Sequence, residues 1–214
     1  MVVKLKLLGM GLVLLAAAVL AFLRGLPWHY LACAALGLSW VGDAMLAHYP
    51  PVAKGVPDPF LAGMASFSLA QVAYISALWM SLVAMPQRHM QTPGTVLGLH
   101  VIGGALPVYL LAATLFWVLF LLRARQPAAV KGAALVYALL VSAMAAFALS
   151  AAFTGVWFVW QLPLGGLLFL VSDGLIAAHV FRGVVADERR YDAMVWATYA
   201  PAQLLMLWGI WRLY

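Results

Sequence analysis

Charge is what this chain has least of: twelve Lys and Arg and six Asp and Glu, 8% of 214 residues. Soluble domains draw about a quarter of their residues from the charged types, so an ordinary water-facing surface is excluded. Cysteine is nearly absent. Cys33 is the only one and lies in an apolar run, which rules out a disulfide framework and a thiolate metal site. No H-x-x-x-H, H-E-x-x-H or C-x-x-C spacing occurs, so no local zinc motif is present and neither a metal nor a cofactor is expected. The last apolar run, Ala193 to Trp211, has no lysine and therefore no amine for a retinal-type Schiff base.

What is there instead is hydrocarbon. Hydrophobic residues make up 67% of the chain and the mean hydropathy is +1.04, the composition of an all-α polytopic membrane bundle in a single transmembrane domain. Seven runs approach the ~20 residues needed to cross a bilayer: Leu5–Leu23, Trp28–Ala47, Phe60–Met85, Thr95–Leu122, Gly132–Phe153, Trp157–Arg182 and Ala193–Trp211. The first is too long and too plainly followed by further spans to be a cleaved signal core. Pro107 inside the fourth predicts a kink rather than a break, because splitting the run there leaves pieces too short to cross. The proline-rich segment His48–Pro59, the polar turn Gln87–Thr92 and the charged segment Ala186–Asp192 read as surface connections.

The formal charge of +6 does not call for a nucleic-acid partner, since the cations sit in short clusters between apolar runs. Such clusters set topology. With the N-terminus cytoplasmic, the inside receives nine cations: Lys4, Lys6, Lys54, Arg123, Arg125, Lys131, Arg182, Arg189 and Arg190. The outside receives three, Arg24, Arg88 and Arg212. This orientation in a bacterial cell membrane is the expected one.

Two spans carry an aspartate where a membrane helix should have none. An ionisable group inside a bilayer-length segment costs a few kcal/mol on insertion scales, so it is expected to face a protein interior or water cavity and to mark function. Asp43 lies about four residues, roughly 6 Å of helix rise, from the cytoplasmic end of its span, and Asp173 about nine residues, roughly 14 Å, from Arg182. Both fall in one leaflet, where carboxylates on separate helices can meet as a paired acid and base. The other intramembrane polar residues have a plainer reading beside any functional one. Gln71 and Tyr74, three apart, share a helix face, as do Tyr199 and Gln203, four apart, and together with Tyr137 they suit interhelical hydrogen bonding. Ser39 and Ser172 suit bonding to their own helix better than nucleophilic attack. His48 and His179 sit near span ends, His100 is isolated in sequence, and most of the nine tryptophans read as interfacial anchors.

Five short signatures in order resemble the YhhN family of membrane proteins, whose characterised members are lysoplasmalogenases. Ser39-Trp40-Val41-Gly42-Asp43 looks like the family's S-x-x-G-D; Phe67 to Tyr74 is similar to F-x-x-x-H-x-x-Y; Val136-Tyr137 fits its V-Y helix; Gly165 to Asp173 resembles G-A-x-L-F-x-x-S-D; and Tyr199 to Gln203 resembles Y-x-x-A-Q. Gln71 stands where the family usually has histidine. Members commonly have eight spans; the resemblance matches the family's K-P-leading helix to Lys4-Leu5 onward, so seven spans without the usual first helix are expected.

The resemblance implies hydrolysis of the vinyl ether of a lysoplasmalogen, a lysophospholipid held in the bilayer, to a fatty aldehyde and a glycerophospho-alcohol. Enol-ether hydrolysis begins with protonation of the outer alkene carbon, so the site needs an acid beside an anion that steadies an oxocarbenium ion. Two close carboxyls that share one proton meet this need, as they do in glycosidases. Asp43 and Asp173 are the expected catalytic pair. Lys4, Tyr137, Tyr199 and Gln203 are the expected substrate-binding residues, the tyrosines and the amide also steadying the acids or the attacking water. Ser39, Gln71, Tyr74 and Ser172 are expected in support. An aspartyl intramembrane protease also uses two membrane aspartates, but its G-x-G-D would need glycine where Trp40 stands. A proton-coupled transporter would use buried carboxylates as relays, and a non-enzymatic scaffold would leave both aspartates unexplained.

Overall fold

A computed structural model describes residues 2–88, 93–153, 157–184 and 187–213. They form an all-α bundle: α1 (Val2–Arg24), α2 (Pro27–Leu46), a single turn α3 (Pro50–Ala53), α4 (Pro59–Arg88), α5 (Pro93–Phe116) running into a wider π turn (Trp117–Leu121), α6 (Ala128–Ala151), α7 (Gln161–Arg182) and α8 (Glu188–Arg212). Six of them are long and apolar enough to cross a membrane. The seventh long helix, α2, is the one diluted by His29, Ser39 and Asp43. The protein is an integral membrane protein.

Helix starts follow the prolines and aspartates. Proline occupies the first turn of α2 and α3, where its missing N–H costs nothing, so the segment His48–Pro59 holds one helical turn instead of being loop throughout. Asp58 accepts from the Leu61 amide at 3.0 Å to open α4. Asp187 accepts from the amides of Arg189 and Arg190 at 2.9 and 3.3 Å. That cap pulls the start of α8 five residues ahead of Ala193, converting most of the expected loop Ala186–Asp192 into helix, although Ala186 itself lies outside the described residues. Three further boundaries move. Helix α6 begins at Ala128 rather than Gly132. Helix α4 runs past Met85 to Arg88 into the expected turn Gln87–Thr92, whose residues 89–92 lie outside the described residues. Helix α7 begins at Gln161 rather than Trp157, and ends at Arg182, capped by Gly183, whose φ of 62° is the left-handed conformation that glycine adopts without steric cost.

Neighbouring helices pair α1 with α2, α2 with α4, α4 with α6, α6 with both α5 and α7, and α7 with α8. The pairings rest on small residues that let backbones approach. A Cβ on Gly166 would come within 3.1 Å of the Ala145 Cα, and one on Gly165 within 3.1 Å of the Met206 amide nitrogen. Tyr74, Phe169, Leu36, Leu78, Met144 and Met206 are fully buried between these crossings. Leucines and valines of α1 and α5, such as Leu8, Leu12, Val108 and Leu111, remain exposed, as lipid-facing positions should. The tryptophans divide. Trp157, Trp160 and Trp208 are exposed, whereas Trp28 is buried and Trp211 stacks on His29 at 4.4 Å. The indole N–H of Trp40 bonds the Leu7 carbonyl and that of Trp117 the Lys131 carbonyl, each at 2.8 Å.

Candidate active site

Each intramembrane aspartate is held by a tyrosine from another helix. On α7, Asp173 accepts from the Tyr137 hydroxyl of α6 at 2.7 Å. On α2, Asp43 accepts from the Tyr199 hydroxyl of α8 at 2.8 Å. The second pair matters to the fold, because α2 and α8 touch over only a short stretch and this bond helps to close the bundle. Phe67 of α4 stands between the two arrangements, its ring centroid 6.4 Å from that of Tyr137 and 6.2 Å from that of Tyr199. It fits there because residue 42 lacks a side chain: a Cβ at Gly42 would lie 2.6 Å from the Phe67 ring. The two carboxylates lie close enough for the charge of Asp173 to act on Asp43.

Behind Tyr199 the hydrogen bonding continues. Gln203, one helical turn further on, donates from Nε2 to the Tyr199 oxygen at 3.1 Å, and its Oε1 accepts from the Tyr74 hydroxyl at 2.6 Å. Gln203 and Tyr74 are fully buried. Gln71 is also fully buried, and its amide lies next to the Tyr137 hydroxyl without closing a well-formed hydrogen bond to it. Ser39 and Ser172 do not bond to their own helices as expected. Both hydroxyls are buried and unpaired, whereas Ser68 and Ser76 on α4 do bond back four residues, to Met64 and Val72. Buried unpaired hydroxyls and a buried unpaired amide beside two carboxylates are costly to keep, and a site that binds a polar molecule has a use for them.

A cavity of about 520 Å³ opens between α4, α5, α6 and α7. Its walls are almost wholly apolar, and Asp173 and Tyr137 are two of its few polar members, with Tyr109 and Ser142. Pockets of this size and polarity suit a largely apolar ligand oriented by a few polar groups. Asp43 is not among its walls. At one end lie Phe116, Leu121, Val180 and Phe181, next to the π turn. There Arg182 donates from Nε to the Phe120 carbonyl at 2.7 Å and from a terminal nitrogen to the Leu119 carbonyl at 3.3 Å. Lys131 reaches the Leu122 carbonyl at 3.3 Å. These cations satisfy carbonyls that the widened turn leaves exposed while keeping positive charge at the cavity end.

The structure therefore brings together Asp43, Tyr199, Gln203 and Tyr74 in one group and Asp173, Tyr137 and Gln71 in another, with Phe67 between. It does not bring Lys4 into either: Lys4 is exposed on the first turn of α1. Lys6 is the lysine that turns inward, pairing with Asp192 at 2.5 Å, lying 4.8 Å over the Trp196 ring and acting electrostatically on Asp43. Lys6 as the inward lysine, the spacing role of Phe67, and α5 as a cavity wall had no distinct signal in the sequence. The i, i+4, i+7 spacing of Phe67, Gln71 and Tyr74 on one face was the nearest hint. Among the described residues no three of His, Cys, Asp and Glu converge as metal ligands would.

No curated protein matches the chain, and no solved structure does. A family model does match, that of the YhhN family, over residues 4–210. The match takes in both aspartates, the two tyrosines that hold them and every wall of the cavity, and the chain belongs to the YhhN family.

Proposed function

We propose that the protein is a lysoplasmalogenase-like hydrolase that cleaves the vinyl ether of an alkenyl-glycerophosphocholine or alkenyl-glycerophosphoethanolamine, with Asp43 and Asp173 acting together as a paired acid and base. The observation that carries the reading is an apolar cavity of about 520 Å³ whose wall includes a tyrosine-held carboxyl, Asp173. An alkenyl chain fits such walls. A carboxyl on the wall can supply the proton that the outer alkene carbon must receive, and a second carboxylate in electrostatic reach can steady the oxocarbenium ion that follows. The unpaired Ser39, Ser172 and Gln71 groups stand behind the cavity wall rather than on it, and Tyr137, Tyr109 and Ser142 are the neutral polar groups on the wall that suit holding the attacking water or the glycerol oxygens. The cations at the cavity end, Arg182 and Lys131, lie where a lysolipid phosphate would sit with the N-terminus of the chain cytoplasmic.

The discriminating experiment gives the purified protein a lysoplasmalogen and its ester analogue and follows aldehyde against fatty acid. Fatty aldehyde from the vinyl ether and no fatty acid from the ester is the expected result. Fatty acid from the ester, or no product from either, overturns the reading.

A further inference from the structure

We infer that the π turn Trp117–Leu121 is a seat that fixes Arg182, and that Arg182 and Lys131 together form a phosphate-binding site at the end of the cavity. A lysolipid with a bare phosphate is then a ligand at least as good as one whose phosphate carries choline or ethanolamine. The catalytic consequence rests on the proposed vinyl ether hydrolysis; the binding site does not.

The turn is tied to its neighbours from both sides. On the α6 side, the Trp117 indole N–H donates to the Lys131 carbonyl at 2.8 Å, and the Lys131 ammonium donates back to the Leu122 carbonyl at 3.3 Å. On the α7 side, Arg182 donates from Nε to the Phe120 carbonyl at 2.7 Å and from a terminal nitrogen to the Leu119 carbonyl at 3.3 Å, and the Gln126 amide donates to the Val180 carbonyl at 3.1 Å. The carbonyls of residues 119, 120 and 122 end one continuous helical element, so they point the same way along its axis. Two cations that cap them are therefore brought to the same helix end. The cavity reaches this place: Phe116, Leu121, Val180 and Phe181 are among its walls, and so is Ala134, one turn beyond Lys131 on α6.

The capping bonds leave donors to spare. Nε and its neighbouring terminal nitrogen form one edge of the guanidinium, and that edge is spent on the turn. The end-on edge still presents two parallel N–H groups, the fork that takes a phosphate through two bonds at once. Lys131 likewise keeps ammonium hydrogens beyond the one it gives to Leu122. Charge is left over as well. The C-terminal end of a helix offsets only about half a unit of positive charge, against two full cations. Among the described residues Lys6, Arg190 and His179 have carboxylate partners, and Arg182 and Lys131 do not. The acids closest to Arg182 in sequence are engaged elsewhere: Asp187 accepts from the amides of Arg189 and Arg190, and Glu188 pairs with His179. An anion is the ligand that this end of the cavity is built to take.

Position selects a phosphate attached to a lipid. Arg182 follows Asp173 by nine residues, roughly 14 Å of helix rise, and a helical side chain leans back toward the N-terminus, which carries the guanidinium toward the carboxyl. The span that remains suits the glycerol unit between a phosphate and a vinyl ether, with the alkenyl chain among the apolar walls beyond Asp173. Because the recognised group is the phosphate, removing the alcohol esterified to it only adds negative charge.

The test titrates the full chain, purified in detergent, with alkylglycerol phosphate and with alkylglycerol. Both carry the same saturated ether, which the proposed reaction cannot cleave, and they differ in the phosphate alone. Binding is read from the rise in melting temperature. The wild type should bind the phosphate-bearing lipid at least roughly tenfold more tightly. Arg182→Gln should remove most of that preference, and Arg182→Lys, which keeps the charge and loses the fork, should restore only part of it. Lys131→Gln should lower the preference too, and carries the same test if loss of Arg182 perturbs folding. A cation that only capped the turn would, on removal, weaken both ligands alike, and an unchanged preference in these variants eliminates the site. Inorganic phosphate should give a much smaller shift at equal concentration; a shift as large as the lipid's would assign the seat to a free anion and overturn the lipid reading. In turnover, alkenylglycerol phosphate should match or exceed alkenyl-glycerophosphocholine in kcat/KM, and alkenylglycerol should fall at least roughly tenfold below both, mainly through KM. A choline ester cleaved tenfold better than the bare phosphate would show that the alcohol is recognised and overturn the inference. A protein that shows the binding pattern and releases aldehyde from none of the three refutes the proposed reaction and leaves the phosphate site standing.

Discussion

Gly42 and Phe67 share one space: the missing Cβ of the first lies where it would stand 2.6 Å from the ring of the second. Because Phe67 separates Tyr137 from Tyr199, the contact spaces both tyrosine-aspartate pairs. Gly42→Ala is expected to cost about 1–3 kcal/mol, the range for overpacking a tight core, and to reduce activity well beyond what that loss explains. Adding Phe67→Leu should recover thermal stability in detergent. An unchanged melting temperature for Gly42→Ala would show that the ring has room to move.

Replacing either aspartate with asparagine keeps shape and hydrogen bonding but removes the exchangeable proton. Asp43→Asn and Asp173→Asn should each remain folded and abolish aldehyde release. The double variant should be hardly worse than either single one, since groups that act as a unit lose their contribution together. If the aspartates were structural, asparagine would be tolerated or stabilising, because a desolvation cost is relieved. A folded single variant with near-normal turnover would therefore defeat the mechanism.

Chain-length preference should follow the cavity. Ala138 lies on its wall with Tyr137, and Ala138→Phe would fill part of the volume. Each methylene denied burial costs about 0.8 kcal/mol, so excluding two or three should move the preference between long and short alkenyl chains roughly tenfold or more toward the short. Competition between two chain lengths in one vesicle preparation measures this. An unchanged ratio would place the lipid chain elsewhere.

Topology follows from the distribution of cations. Reporter fusions after Met90, outside the described residues, and after Pro127 should report opposite sides of the membrane, with Pro127 on the cytoplasmic side. The same side for both would undo the proposed orientation.

Much of the bundle was legible because its signals are local. Seven apolar runs became seven helices of 20 residues or more among the described residues, and Pro107 did not divide α5. The boundary of α8 was missed because Asp187, a capping residue, stood in a stretch whose charges looked like a loop. Ser39 and Ser172 were misread for a different reason. Whether a helical serine bonds back to its own carbonyl depends on what the neighbouring helix offers its hydroxyl, and no spacing encodes that. Lys4 and Lys6 are indistinguishable by position near the first span, and only the rotation of α1 against α8 turns Lys6 to Asp192 and Trp196.

Composition alone determined that this chain belongs in a membrane, and the placement of Asp43 and Asp173 within apolar runs determined that two carboxyls had to be accounted for. Both conclusions follow from transfer free energy, which acts on each segment separately. Tertiary structure decided which tyrosine serves which carboxyl, Tyr199 reaching Asp43 across 156 residues of sequence and Tyr137 reaching Asp173 across 36. It also decided that Asp173 rather than Asp43 meets the apolar cavity. Those choices depend on how each helix is rotated and how closely its small residues let a neighbour approach, and in lipid that is set by packing between helices rather than by the hydropathy of any one of them.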